Sequence, residues 1–291
     1  MTAVVLGTGA MAPEIAVALA AAGHRVTVAG RSPVRAADAA GRAVALGGAP
    51  GAIGSAEIRP DALAGADLVV ETIAEDLEAK RDLLRRVEPW LADGAIVASN
   101  TSSLRIADLA DALARPGRLA GLHFLKPAHL TAVVEVVAGP ATDDASIGAL
   151  RHLAARMGKA PLVSADVPGF IWNRIQFAVL RECLHMLEEG VADAAAIDAA
   201  MSDGLAPRWM AAGPLATADL GGLRTFATVS RGLFPHLADG HDAPAVLEEA
   251  AASGTPLAPW TADAGDEVAR LRADALAAGR EIAARRRRLG A

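Results

Sequence analysis

Apolar positions along the chain follow two regimes. From residue 2 to about 165, short aliphatic runs alternate with stretches whose apolar residues recur every three or four positions. Strands alternating with helices in a parallel α/β sheet give this pattern. Residues 3–6, 26–29, 68–70, 95–98, 119–123 and 133–137 read as strands. Residues 11–22, 33–42 and 76–91 read as helices, and the Gly/Ala/Pro-rich stretch 47–54 reads as a loop. After Val167-Pro168-Gly169-Phe170 the periodicity is helical, over 171–189, 192–201, 223–233 and 266–289, with no convincing strand. The expected architecture is a doubly wound, parallel-sheet α/β domain over 1–166 and an all-α domain over 167–291.

Composition narrows the class. With 291 residues, 53% hydrophobic and 21% charged, the chain can build two globular domains. Aromatic residues are 3% and Tyr is absent, so Ala, Val, Leu and Ile must fill the core. The single cysteine, Cys183, excludes an internal disulfide or a CxxC metal knuckle and fits a cytoplasmic protein; no metal site is expected. Glu14 interrupts the apolar stretch 3–22 and no basic segment precedes it, so it does not read as a signal peptide. No segment approaches the roughly 18 apolar residues of a membrane span. A net charge of -6 argues against general nucleic-acid binding, and the Arg285 to Arg288 cluster reads as a solvated helix end.

Gly7-Thr8-Gly9-Ala10-Met11-Ala12 directly follows the first strand and opens a helix. In a dinucleotide-binding (Rossmann) turn, Gly7 permits the tight turn and Gly9 lets the backbone approach a pyrophosphate. Ala12 takes the third position, and the amides near Ala10 and Met11 face the phosphates. The end of the second strand bears on which dinucleotide is bound. An NAD site places Asp or Glu there, whereas this chain has Gly30-Arg31-Ser32. Arg31 and the Ser32 hydroxyl suit a 2′-phosphate, which predicts NADP(H) ahead of NAD(H).

A longer pattern follows: Ala66-Asp67-Leu68-Val69-Val70-Glu71, Glu75-Asp76-Leu77-Glu78-Ala79-Lys80, Ser99-Asn100-Thr101-Ser102-Ser103, Gly121-Leu122-His123-Phe124-Leu125-Lys126-Pro127, Val133-Val134-Glu135 and Pro168-Gly169-Phe170-Ile171-Trp172-Asn173-Arg174. It resembles the 3-hydroxyacyl-CoA dehydrogenase family over most of the chain. The resemblance implies that His123 is the acid–base residue, Glu135 its partner, and Ser102 and Asn173 the donors to the substrate oxygen and the base. It also implies that Glu75 and Lys80 lie toward the nicotinamide ribose, with Asn100 at the cofactor. The chemistry asks for such a set. Moving a hydride to or from a secondary alcohol carbon requires a group that takes and returns the hydroxyl proton, and imidazole serves near neutrality. A carboxylate on its other nitrogen fixes the tautomer and stabilises imidazolium.

Three departures bear on substrate. Lys126 stands where the family has Asn and offers a cation to a substrate carboxylate. The stretch between Arg31 and Ala66 is short by roughly twenty residues and lacks an excursion that helps hold coenzyme A in the family. Leu257-Ala258-Pro259-Trp260 and an Arg/Ala-rich helix replace the family's C-terminal sequence. These features lead to a 3-oxoacyl or 3-hydroxyacyl thioester as substrate, on an acyl carrier protein slightly ahead of CoA. The alternatives are a free small 3-hydroxy acid and, less favoured, a non-catalytic NADP(H)-binding protein. The helical half, with its many apolar faces, is expected to form a homodimer.

Overall fold

The computed structural model describes the backbone of residues 1–259 and 261–288, and the side chains of 1–259 and 267–288. Trp260 and Leu289, at the ends of two stretches read above, lie outside the described residues. The chain forms two compact units, Met1–Arg174 and Ile175–Ala291.

The first unit is built on eight strands: β1 (Thr2–Leu6), β2 (Arg25–Gly30), β3 (Ile53–Glu57), β4 (Leu68–Glu71), β5 (Ile96–Ser99), β6 (Leu119–His123), β7 (Val133–Ala138) and β8 (Ala160–Ala165). They pair in the order β3-β2-β1-β4-β5-β6-β7-β8. Its helices are α1 (Met11–Ala21), α2 (Pro33–Ala45), α3 (Pro60–Leu63), α4 (Leu77–Val87), α5 (Ile106–Ala110) and α6 (Asp144–Arg156). Alternation along β1 explains the double winding: Ala3 and Val5 enter one core with Ile15, Leu19 and Leu150, while Val4 and Leu6 enter another with Leu84, Ile106 and Leu109.

Three details depart from the expectation. The stretch read as a loop over 47–54 runs into β3 at Ile53, an edge strand paired only with β2. Its Ile-Gly-Ser-Ala-Glu sequence carries one large apolar residue, so periodicity does not announce it. Edge strand β8 contains Pro161, which an edge tolerates and a sequence pattern reads as a break. The sheet is parallel except that β6 and β7 pair antiparallel. Residues 124–132 join them without a helix, too short a path for a parallel crossover.

In the second unit, α7 (Trp172–Glu188) continues past the boundary to α8 (Ala194–Ala199), a π-helical turn Ala200–Leu205, α9 (Ala206–Gly221), α10 (Leu223–Leu233), α11 (Ala245–Ser253) and α12 (Thr261–Arg288). α9 kinks at Gly213 (φ 68°) ahead of Pro214, which cannot donate to the helix ladder. Glu182 accepts from Ala238 N at 2.8 Å and Glu188 from Val246 N at 3.0 Å, anchoring the 237–246 stretch to α7. Among the described residues of this unit only Leu184, Ile197 and Thr217 are buried. No described helix is long and apolar enough to cross a membrane.

Candidate active site

The carboxyl ends of the parallel strands meet where strand order reverses between β1 and β4, the crevice in which doubly wound sheets bind ligands. Gly7 follows β1 with φ 133°, and a Cβ there would lie 2.6 Å from the Thr72 carbonyl oxygen, so only glycine makes this turn. A Cβ on Gly9 would meet no protein atom within 4 Å, which leaves open space in front of the turn. No side chain caps α1 at Ala10, so the amides of Met11 and its neighbours keep their donors for an anion. The turn therefore fits a dinucleotide.

Gly30 ends β2, and a Cβ there would sit 2.6 Å from the Thr8 methyl. Arg31 is exposed, and Ser32 caps α2 by accepting from Arg35 N at 3.4 Å. The nearest carboxylate in register is Glu57 on β3, paired with Arg59. Arg42, unmarked by any sequence pattern, reaches from α2 to the Thr8 carbonyl at 3.0 Å and to Asp38 at 3.0 Å.

His123 is the last residue of β6 and the cross-strand partner of Glu135 on β7. Antiparallel pairing thus creates the contact: Glu135 Oε2 lies 2.6 Å from His123 Nδ1, with both side chains buried. The other oxygen, Oε1, accepts from Ile171 N at 2.8 Å and Trp172 N at 2.9 Å, the opening amides of α7. Burial pushes the Glu135 carboxyl up, but the His123 hydrogen bond and the Trp172 and Ile171 amides outweigh it, so the group stays below the usual carboxylate range. On the opposite side of the ring, His123 Nε2 lies 3.1 Å from Ser102 Oγ. Asn173 Nδ2 donates to the Ser102 carbonyl at 3.1 Å. Ser102, His123, Glu135 and Asn173 therefore converge, although they are scattered from β5 to α7.

Phe170, not singled out from sequence, packs edge-on against the His123 ring at 5.6 Å and is 2% exposed. Its φ of 48° is unusual for a non-glycine residue, and the turn with Gly169 forces it. The sequence signal was present in Pro168-Gly169-Phe170, but spacing alone cannot tell a turn from a wall. Lys126 is exposed just beyond His123-Phe124-Leu125.

Glu75 organises the loop that carries Ser102. Its Oε1 accepts from Thr101 Oγ1 (2.6 Å), Ser102 N (2.8 Å), Ser103 N (2.8 Å) and Ser103 Oγ (3.0 Å). Burial raises this carboxyl, yet the hydrogen bonds from Thr101, Ser103 and Ser102 and the Lys80 charge bring it down to about 2. Lys80 is 1% exposed and lies against Glu71 at 2.7 Å and Glu75 at 3.5 Å, so it bears on the site through these carboxylates. Asn100 is likewise engaged within the protein: Oδ1 accepts from Phe124 N at 2.7 Å and Nδ2 donates to Thr72 Oγ1 at 3.4 Å. Glu14 on α1 accepts from Ala128 N and tethers the 124–132 connection.

Comparison with known proteins identifies the family. The family model described as 3-hydroxyacyl-CoA dehydrogenase, NAD binding domain, matches residues 52–167, and its C-terminal domain model matches 169–256. The chain is 33% identical over 264 residues to 5-formyl-3-hydroxy-2-methylpyridine 4-carboxylate 5-dehydrogenase of Mesorhizobium japonicum, covering 86% of this chain and 85% of that one. It is 44% identical over 187 residues to 3-hydroxybutyryl-CoA dehydrogenase of Bradyrhizobium diazoefficiens, covering 64% and 63%. A crystal structure of a 5-formyl-3-hydroxy-2-methylpyridine 4-carboxylic acid 5-dehydrogenase, described as an NAD+ dependent dismutase, superposes with a TM-score of 0.87 at 31% identity over 97% of both chains. A dinucleotide turn, a buried histidine–carboxylate pair and two consecutive family matches place this chain in the 3-hydroxyacyl-CoA dehydrogenase family of nicotinamide-dependent oxidoreductases.

Proposed function

We propose that the chain interconverts a secondary alcohol and a ketone, with His123 as the acid–base residue. The hydrogen-bonded chain Ser102–His123–Glu135, closed by the Ile171 and Trp172 amides, is the observation that carries this reading. A bound nicotinamide supplies the hydride acceptor in oxidation and the donor in reduction. His123 Nε2 takes the hydroxyl proton in oxidation and returns it in reduction, while Glu135 holds the Nδ1 proton and stabilises imidazolium. Ser102 Oγ and Asn173 orient the substrate oxygen and the base, and Glu75 lies toward the nicotinamide ribose. Replacing His123 with Gln should lower turnover by about 10²–10⁴-fold and leave cofactor affinity intact. An unchanged rate would take the acid–base role away from His123, whereas cofactor binding without turnover in the unsubstituted chain would favour a non-catalytic NADP(H)-binding protein.

NADP(H) is the preferred cofactor in this reading. Gly30-Arg31-Ser32 carries no carboxylate, Arg31 is exposed, and Arg35 opens α2 beside it. Equal or better kcat/KM with NADH than with NADPH would overturn the preference.

The substrate we favour is a free small hydroxy or oxo acid, bound through Lys126. Only α2, β3 and the short α3 fill the stretch between β2 and β4, and the relative matched over 85% of its length is named for a free pyridine carboxylate. An acyl thioester, on CoA or an acidic carrier protein, is the second reading, favoured by the relative named for 3-hydroxybutyryl-CoA. Rates with acetoacetate, acetoacetyl-CoA and acetoacetyl carrier protein separate the three. The same reading makes the protein a cytoplasmic homodimer joined through the helical unit, and the mass of the full chain by light scattering tests the assembly.

A further inference from the structure

Beneath the Ser102 loop lies a buried charged cluster that the proposed proton transfer does not use. Glu71 ends β4 fully buried, in register with Ser99 at the end of β5. Its Oε1 accepts from Lys80 Nζ at 2.7 Å and Ile73 N at 2.7 Å, and its Oε2 from Ser99 Oγ at 2.6 Å. Ser99 Oγ in turn accepts from Thr101 N at 3.3 Å. Lys80 also donates to the Ile73 carbonyl at 3.3 Å and stands 3.5 Å from Glu75 Oε2.

One ammonium is therefore shared between two carboxylates with different tasks. Glu71 grips the strand ends, and Glu75 gathers the amides and hydroxyls of Thr101, Ser102 and Ser103. A buried ion left without its partner keeps its full desolvation penalty, so it moves to whatever opposite charge remains. If Glu71 lost its charge, Lys80 would turn to Glu75, whose Oε1 holds the Ser102 backbone. Ser99 would at the same time lose the acceptor that fixes its hydroxyl under Thr101.

We propose that Glu71 is a positioning residue for the Ser102 hydroxyl. By holding Lys80 and Ser99, it leaves Glu75 committed to the 101–103 loop and so sets the 3.1 Å approach of Ser102 Oγ to His123 Nε2. The inference rests on the role given to Ser102 above.

A double-mutant cycle tests it, because a residue acting through Ser102 has no further effect once that hydroxyl is gone. The variants are Glu71→Gln, Ser102→Ala and their combination in the full chain. The readouts are the ¹⁵Nε2 resonance of His123 and NADPH-dependent turnover of acetoacetate or acetoacetyl-CoA. E71Q should move the resonance in the same sense as S102A and lower turnover roughly 10- to 100-fold with KM little changed, as misplacement by about an ångström does. The double variant should match S102A alone. Ser99→Ala removes one donor without stranding a charge; it should give a smaller change of the same sign and serves if E71Q fails to fold. Additive effects, or an S102A effect with none from E71Q or S99A, overturn the inference alone. S102A indistinguishable from wild type overturns the role of Ser102 and the inference together.

Discussion

The two units of the chain handle apolar surface in opposite ways. In Met1–Arg174 each central strand presents aliphatic side chains to two separate cores, and Val4, Val5, Leu84 and Leu122 have no measurable exposure. In Ile175–Ala291, by contrast, Leu215 is 83% exposed, Leu220 81% and Phe234 67%. The first unit buries its aliphatic side chains in two cores, one on each face of the sheet. The second leaves many apolar side chains of its described helices exposed, the surface on which the proposed dimer rests. Polar side chains differ too: Ser102, His123 and Glu135 of the first unit meet beyond the strand ends, whereas Glu182 and Glu188 of the second tie α7 to the 237–246 stretch.

The largest break in this contrast should come from core truncation. Leu84→Ala or Ile15→Ala removes a fully buried side chain and should cost about 2–5 kcal/mol of stability by denaturant unfolding. Leu215→Ser with Leu220→Ser should change unfolding free energy by less than about 0.5 kcal/mol when the chain is monomeric. The same pair should convert the proposed dimer to a monomer by light scattering; a persistent dimer would place the cover elsewhere.

A third test concerns pH. Glu75 sits at about 2 in the fold against an ordinary 4.5, so its ionised form favours folding. That contribution is complete above pH 4.5 and fades as pH falls toward 2. Glu75→Gln should therefore lower stability at neutral pH and flatten the acid limb of the unfolding curve below pH 4.5. An acid limb of unchanged steepness would refute that assignment. The smallest expected effect is from Arg42→Ala, which frees the Thr8 carbonyl and should weaken NADPH and NADH alike by about threefold. A loss confined to NADPH would instead put Arg42 on the 2′-phosphate.

The sequence made some parts of this molecule plain and concealed others for physical reasons. β1, β2 and β4 are interior strands covered on both faces, so their aliphatic runs stand out. β3 and β8 are edges with less to bury, and Gly54 and Pro161 erase their pattern. Ser102, His123, Glu135 and Asn173 were readable because the family resemblance fixes their spacing. Glu14, Glu71, Arg42 and Phe170 were not, because their partners lie far along the chain and no period links them. Lys80 was readable as a position, but its burial between two carboxylates was not.

The contact between Thr8 and Gly30 restricts the order in which changes at this site can arrive. An acid introduced at position 30 would drive its Cβ to within 2.6 Å of the Thr8 methyl, in the turn that receives the dinucleotide. Gaining a ribose-binding carboxylate at the end of β2 therefore requires position 8 to shrink or turn first. Gly30→Asp alone should damage the binding of both cofactors, whereas after Thr8→Gly it becomes tolerable. The methyl group of Thr8 thus limits what the end of β2 can carry.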